Sequence, residues 1–282
     1  MNDDLKQLAK KLGFKAMSTN WQTYCNQSWA EQLLKEEEAE RVRLSLERRN
    51  REANIGEFKP MADFDWSWPK EIDREQIEEL LTLRFLGEKG FNLAFVGPNG
   101  IGKTMIVQNI AYGALTAGLR TRFTQASQML HELARQDGEI ALNRCLKKYC
   151  NYDLLIIDEL GNLDYGKRYA DLLFAVVGGR YLKRSTIVTT NTIFQEWNTF
   201  FPNAMCVTTL VDKLMHKSEL VVIKGKSYRE KEATERAAAR NKRRKEQKTK
   251  PAIDEKQKNE EPSKSSVGRI TKSTSQKNSK GG

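Results

Sequence analysis

The run Gly97-Pro98-Asn99-Gly100-Ile101-Gly102-Lys103-Thr104 matches GxxxxGK[ST], a spacing suited to holding phosphate groups. Its glycines let backbone N–H groups turn inward around an anion, and a helix starting at its end adds a positive dipole. Lys103 is then placed to reach the β- and γ-phosphates of ATP, and Thr104 to ligate Mg2+. The pattern carries this meaning only between a strand and a helix. Apolar Phe91 to Val96 before it and helix-forming Gly102 to Thr116 after it supply that setting.

Leu154-Leu155-Ile156-Ile157 reads as a buried strand that delivers Asp158 and Glu159 to the sheet edge beside the loop. Asp158 is suited to the magnesium shell, and Glu159 to orienting and deprotonating an attacking water. The pair could also cap a following helix, whose N-terminus favours acids, but four buried-type residues ahead of it favour the catalytic reading. A second apolar strand, Ile187 to Thr190, ends on Asn191, which can hold the lytic water or touch the γ-phosphate. An asparagine after a strand is also a common turn residue, and its meaning here comes from following Asp158-Glu159.

The elements that must position these groups alternate in βα fashion. Strands are predicted at Phe91–Val96, Arg120–Gln125, Asp153–Asp158, Ser185–Thr190 and Glu219–Ile223. Helices are predicted at Asp73–Gly87, Gly102–Thr116, Ala126–Arg135, Gly138–Tyr149, Tyr169–Leu182 and Val207–His216. Short apolar strands between amphipathic helices predict an α/β fold with a parallel sheet covered on both faces. Residues 2 to about 53 read as a helical module broken at Gly13. Asn54 to Pro69, with two prolines, a glycine and Phe58, Phe64, Trp66 and Trp68, reads as an ordered linker. A charged helix from Arg229 to about Thr249 precedes a Ser-, Lys- and Gln-rich stretch whose composition predicts disorder.

The chain has 282 residues, 39% of them hydrophobic, enough for one full α/β domain with appendages. Its net charge of +11 is localised: Lys224 to Gly282 holds 19 Lys and Arg against 8 Asp and Glu, so the remainder is neutral. Such a tail can bind a polyanion through counterion release or serve only as a solubiliser. Cys25, Cys145, Cys150 and Cys206 form no CxxC pair and lack histidines at ligand spacing, which suggests neither zinc nor a disulfide framework. With no stretch of membrane-spanning length and no signal-peptide order at Met1 to Leu5, a cytoplasmic protein with no membrane partner is expected.

From about Leu5 to Arg229 the sequence resembles the IstB-like family, helper ATPases of insertion-sequence transposition related to DnaC-type helicase loaders. The likeness is strongest at Gly97–Thr104, Asp153–Gly161, Ala170–Arg184, Ser185–Asn191, Trp197 and Lys224–Arg229. It implies a P-loop AAA+ ATPase core at 73–235 preceded by a helical N-terminal module at 1–53 and a linker at 54–72; the basic, largely disordered tail at 236–282 is read from composition, and after about Arg240 it has no counterpart in the family. It also implies that Lys103, Thr104, Asp158, Glu159 and Asn191 keep the family's catalytic types and that Arg229 reads the γ-phosphate as a second sensor. In Leu210-Val211-Asp212-Lys213-Leu214 the family's Asp-Arg-Leu arginine, expected to act on a neighbouring subunit's nucleotide, is replaced by Lys213. An ammonium lacks the planar fork that grips a phosphoryl group, so trans-activation is either weakened or supplied by another residue such as Arg180, for which a structural ion pair is the simpler reading.

The function implied is that of a transposase helper: a homo-oligomer that assembles on duplex DNA with ATP and presents it to a transposase. A helicase loader acting on single strands, partnered by a replicative helicase, is the alternative, and a DNA-binding scaffold with little turnover is the third. Arg41, Arg43, Arg48, Arg49 and Arg51 lie among glutamates, as on a solvated helix, with DNA contact as the other option; Arg120 and Arg122 precede Phe123 on the second strand, and Lys147-Lys148 and Lys183-Arg184 end helices, where cations are favoured. Trp66 and Trp68 read as linker packing, with an adenine clamp as the other option. His131 and His216 have no partner at a useful spacing.

Overall fold

A computed structural model describes residues 2–161, 166–199, 201 and 204–249. The chain divides into two compact units, Met1–Ala233 and Thr234–Gly282. In the first, strands β1 (Asn92–Val96), β2 (Thr121–Gln125), β3 (Leu154–Leu160), β4 (Ser185–Thr190) and β5 (Ser218–Val222) form one parallel sheet in the order β2-β3-β4-β1-β5. The inner strands β1, β3 and β4 are buried almost throughout because both faces of the sheet are covered there, whereas the edge strands β2 and β5 are only partly buried. Leu154, Ile156, Ile187 and Phe95 pack toward α5 (Arg74–Leu81) and α6 (Lys103–Thr116), while Leu155, Ile157 and Val188 pack toward α7 (Ala126–Ala134), α8 (Glu139–Cys150), α9 (Lys167–Arg180) and α10 (Ala204–Met215). The parallel α/β class expected from the sequence is therefore present.

Two elements differ from the predicted course. The helix expected to run to Gly87 stops at Leu81, where the Thr82 hydroxyl turns back to the Glu79 carbonyl at 2.6 Å and Leu83 takes a left-handed φ of 65°. A short 3-10 turn, Arg84–Gly87, follows and buries Phe85 against the α6 face, so core packing overrides an uninterrupted helical pattern. The third strand continues past Asp158 to Leu160, through a register shift between Ile157 and Leu160.

Helices α1 (Asn2–Lys11), α2 (Lys15–Thr19), α3 (Trp21–Tyr24) and α4 (Ser28–Ala53) precede the sheet and enclose a small core of their own: Ala9, Leu12, Met17, Trp21, Ala30 and Leu34. The exposed middle of α4 is laced by Lys35–Glu31, Arg41–Glu37 and Arg43–Glu47 pairs at i,i+4 spacing, as a solvated helix predicts. Its C-terminus, closed by left-handed Asn54, reaches the parallel sheet, where Arg122 donates to the Glu52 carbonyl at 2.9 Å. Helix α11 (Tyr228–Thr249) begins in the first unit; in the second, its course from Thr234 to Thr249 is the described part. The disorder expected beyond Lys250 lies outside the described residues. Among the described residues no helix is long and apolar enough to cross a membrane.

Arg180 is 1% exposed, yet its partners are not the carboxylate of an ion pair. Its guanidinium donates to the carbonyls of Tyr149 at 2.8 Å, Tyr152 at 2.7 Å, Cys150 at 3.3 Å and Ser185, and to the Thr186 hydroxyl at 3.0 Å. The negative end of α8 thus holds a cation that ties α8 and α9 to the start of β4, and this inward aim keeps Arg180 from reaching a phosphate. Arg180→Lys cannot satisfy five acceptors with one ammonium and is expected to lower stability by about 3 kcal/mol in urea denaturation. An unchanged midpoint would show that the carbonyls do not depend on the fork.

Candidate functional site

A cavity of about 590 Å3 opens at the C-terminal edge of the sheet, a volume typical of small-ligand sites. Its floor is the loop from Asn99 to Thr104; Glu159, Thr189, Thr190 and Asn191 form one wall, Phe64, Asp65, Trp68 and Pro69 another, and Tyr228, Arg229 and Glu232 a third. The loop's glycines are required by contact. A Cβ on Gly97 would lie 2.2 Å from the Ile223 carbonyl oxygen, and one on Gly102, whose φ is +103°, would lie 2.5 Å from the Phe64 ring. The Tyr228 N–H donates to the Gly100 carbonyl at 2.8 Å, tying the loop to the start of α11.

Lys103, the first residue of α6, is 7% exposed, and its ammonium donates to the carbonyls of Gly97 at 2.5 Å and Pro98 at 2.8 Å. Burial lowers its pKa to about 8, opposed by the charges of Asp158 and Glu159 and reinforced by Arg229. Next along α6, the Thr104 hydroxyl lies 3.1 Å from Asp158 Oδ2. A hydroxyl beside a buried carboxylate is a hard oxygen pair that suits Mg2+, so the residues present fit that ion.

In an unbroken strand Asp158 and Glu159 would point to opposite faces. The packing shows how that is avoided. Leu155 and Ile157 face the α9 side, and the next residue to do so is Leu160 rather than Glu159. Ile157 pairs with Val188 and Leu160 with Thr190, leaving Asp158 and Glu159 together opposite Thr189. This is a β-bulge, and within it Glu159 adopts a φ of +59°. Left-handed backbone costs a residue with a side chain about 1–2 kcal/mol. The bulge brings Glu159 to the cavity while Asp158 stays buried behind Thr104.

The sequence-derived residues thus fall into two groups. Asn99, Gly100, Ile101, Gly102, Lys103, Thr104, Glu159, Asn191 and Arg229 line one cavity, Gly97 and Pro98 hold the Lys103 ammonium, and Asp158 reaches the site through Thr104. Lys213 stands apart from this lining, with its ammonium 4.3 Å above the Phe174 ring and 5.9 Å from that of Tyr181. The two tryptophans separate as well. Trp66 packs on Phe64 and under the Arg74 guanidinium, as linker packing predicts. Trp68 borders the cavity, its Nε1 donating to the Lys226 carbonyl at 2.9 Å and its ring lying 4.5 Å from the Lys231 ammonium.

Sequence reasoning passed over Thr189, Gln125, Phe64, Asp65 and Tyr228 as parts of this site, and favoured packing over a site role for Trp68. Gln125, which ends β2, donates to the Glu159 carboxylate at 3.4 Å. A polar residue closing the strand beside β3 was the available signal for it. The linker residues join through contacts far along the chain: Asp65 pairs with Lys231 at 3.1 Å, and Glu71 exchanges two backbone hydrogen bonds with Lys224.

Residues 2–250 match the family described as IstB-like ATP binding protein. The ATP-binding protein of insertion sequence IS232 from Bacillus thuringiensis subsp. berliner is 37% identical over 62% of this chain and 69% of its own length. That of insertion sequence IS5376 from Geobacillus stearothermophilus is 31% identical over 82% of this chain and 96% of its own. Among solved structures, DnaI shows 18% identity and a TM-score of 0.48, covering 60% of this chain and 94% of that one.

A phosphate held by the Lys103 ammonium would make nucleotide affinity depend on pH: below about pH 8 the empty site already carries the charge, and above it binding would draw a proton from solution. ATP affinity is therefore expected to fall as pH rises through 8, by up to about tenfold per unit, with proton uptake measurable by calorimetry in buffers of different ionisation enthalpy. Constant affinity up to about pH 9.5, with no proton uptake, would place the ammonium outside the phosphate site.

Proposed function

The chain belongs to the IstB-like ATP-binding protein family, and from that premise we propose that it hydrolyses ATP in the cavity at the sheet edge to control its assembly on duplex DNA. The observation that carries the reading is the convergence of Lys103, Thr104, Glu159, Asn191 and Arg229 on one cavity, with Asp158 directly behind Thr104.

Backbone N–H groups of the loop and the N-terminus of α6 receive the phosphates, and the Lys103 ammonium leaves the Gly97 and Pro98 carbonyls for the β- and γ-phosphate oxygens. Thr104 and Asp158 would hold Mg2+, which when bound offsets the phosphate charge. Glu159 orients a water and accepts its proton as the water oxygen attacks the γ-phosphorus and the bond to the bridging oxygen breaks. Asn191 fixes that water, and Arg229 meets the γ-phosphate, so that loss of the phosphate is felt at the start of α11. Lys213 lies outside the cavity of its own chain, and its part in this scheme is to face the nucleotide of a neighbouring copy.

The matched relatives are named as insertion-sequence proteins, which supports a transposase as partner and duplex DNA as the polymer. The positive charge from Lys224 onward supplies sequence-independent attraction to that polymer.

Lys103→Ala is expected to lose ATP binding, whereas Glu159→Gln should bind ATP but turn it over at least about a hundredfold more slowly. With ATP, Glu159→Gln should form large assemblies on double-stranded DNA, measured by sedimentation beside a single-stranded control. Normal turnover in Glu159→Gln would overturn the assignment of the base. Assembly on single strands alone would favour a helicase loader.

A further inference from the structure

Thr189 has no place in the scheme above, yet its hydroxyl touches both carboxylate positions of the bulge. It is 1% exposed and sits on β4 opposite the two extra-register residues of β3. Its Oγ1 accepts the Glu159 N–H at 2.9 Å and donates to Asp158 Oδ1. The other Asp158 oxygen receives the Thr104 hydroxyl at 3.1 Å. We propose that Thr189 is the positioning residue of the hydrolytic site: one hydroxyl that holds Glu159 in its left-handed turn and Asp158 in its ligand orientation together.

The chemistry restricts what can stand there. The position needs one donor and one acceptor on a single buried atom, which a hydroxyl supplies and a methyl or thiol does not supply comparably. A bulge on its own leaves an unpaired backbone N–H and a residue free to relax to an ordinary φ. Here the unpaired N–H is that of Glu159, and Thr189 supplies its acceptor. Thr189 also couples two active groups. It precedes Asn191 by two residues, and β4 is paired with β1 on one side and β3 on the other. The proposed general base and the proposed water-holding asparagine are thereby fixed to the same short length of strand, so displacement of one moves the other.

This inference rests on the ATPase reading, and its test separates the two. Thr189→Val preserves shape and removes the hydroxyl; Thr189→Ser preserves the hydroxyl. In EDTA, both variants should bind a fluescent-labelled ADP within about threefold of the parent, which also reports a folded P-loop. The gain in affinity on adding Mg2+ should be lost in Thr189→Val and kept in Thr189→Ser. Hydrogen exchange at the Glu159 amide should accelerate at least about tenfold in the valine variant only, and kcat should fall at least about tenfold with little change in KM, again rescued by serine. If the valine variant does not fold, Thr189→Cys supplies the weakened donor, and its Mg2+ response and kcat should fall between those of serine and the empty-handed Thr189→Ala. Glu159→Gln is measured alongside. Slow Glu159→Gln with Thr189→Val at parental rate, parental Mg2+ response and unchanged amide exchange would overturn the Thr189 inference alone; parental turnover in Glu159→Gln would overturn the ATPase reading beneath it.

Discussion

Neighbouring residues of a β-strand face opposite ways, and this geometry sets the problem that the nucleotide site must solve. Asp158 has to stand behind Thr104, on the α6 side of the sheet, while Glu159 has to reach the cavity above it. A regular strand would turn Glu159 toward the α9 side, beside Leu155 and Ile157, and send Leu160 to the α6 side. The bulge removes the conflict by giving the α6 side two consecutive residues against the single Thr189 of β4. Its cost is a left-handed glutamate, and a strained backbone of this kind persists only where surrounding contacts over-determine it. The sheet supplies those contacts, since β3 lies between β2 and β4 and its flanking residues are buried on both faces.

The rest of the cavity is built so that charge is in place before a ligand arrives. Lys103 keeps its ammonium inside the loop by leaning on two loop carbonyls, which offset part of the desolvation that lowers its pKa. Phosphate oxygens are stronger acceptors than those carbonyls, so the exchange proposed for nucleotide binding would be favourable. The linker and the start of α11 complete the walls. Phe64 lies against Gly102, Tyr228 holds Gly100, and the Asp65–Lys231 and Glu71–Lys224 pairs join two segments that are distant in sequence.

Much of this was legible in the residue order. Buried strands announced themselves as apolar runs, and GxxxxGK[ST] between a strand and a helix placed Lys103 and Thr104. What escaped follows a common cause: the deciding partner lies elsewhere in the chain. Glu159 is neither Gly nor Asn, so nothing local marks it as left-handed, unlike Gly161, whose positive φ of 101° is the kind a glycine signals. Leu83 ends a helix for the sake of burying Phe85, with no glycine or proline to signal it. Trp66 and Trp68 are alike in sequence, and only the Lys226 carbonyl and the Lys231 ammonium distinguish the one at the cavity. Arg180 looked like half of an ion pair because backbone carbonyls leave no trace in a sequence.

The central claim is that the backbone at Glu159 is left-handed, and it can be tested without nucleotide or partner. Glu159→Gly and Glu159→Ala both remove the carboxylate, so their difference in urea-denaturation stability isolates the backbone. In an ordinary strand alanine is the more stable by about 0.5–1 kcal/mol, because glycine loses more freedom on folding. At a φ of +59° the order should reverse, with glycine the more stable by about 1 kcal/mol. Alanine equal to or above glycine would contradict the bulge, and with it the account of how two adjacent carboxylates come to serve one cavity.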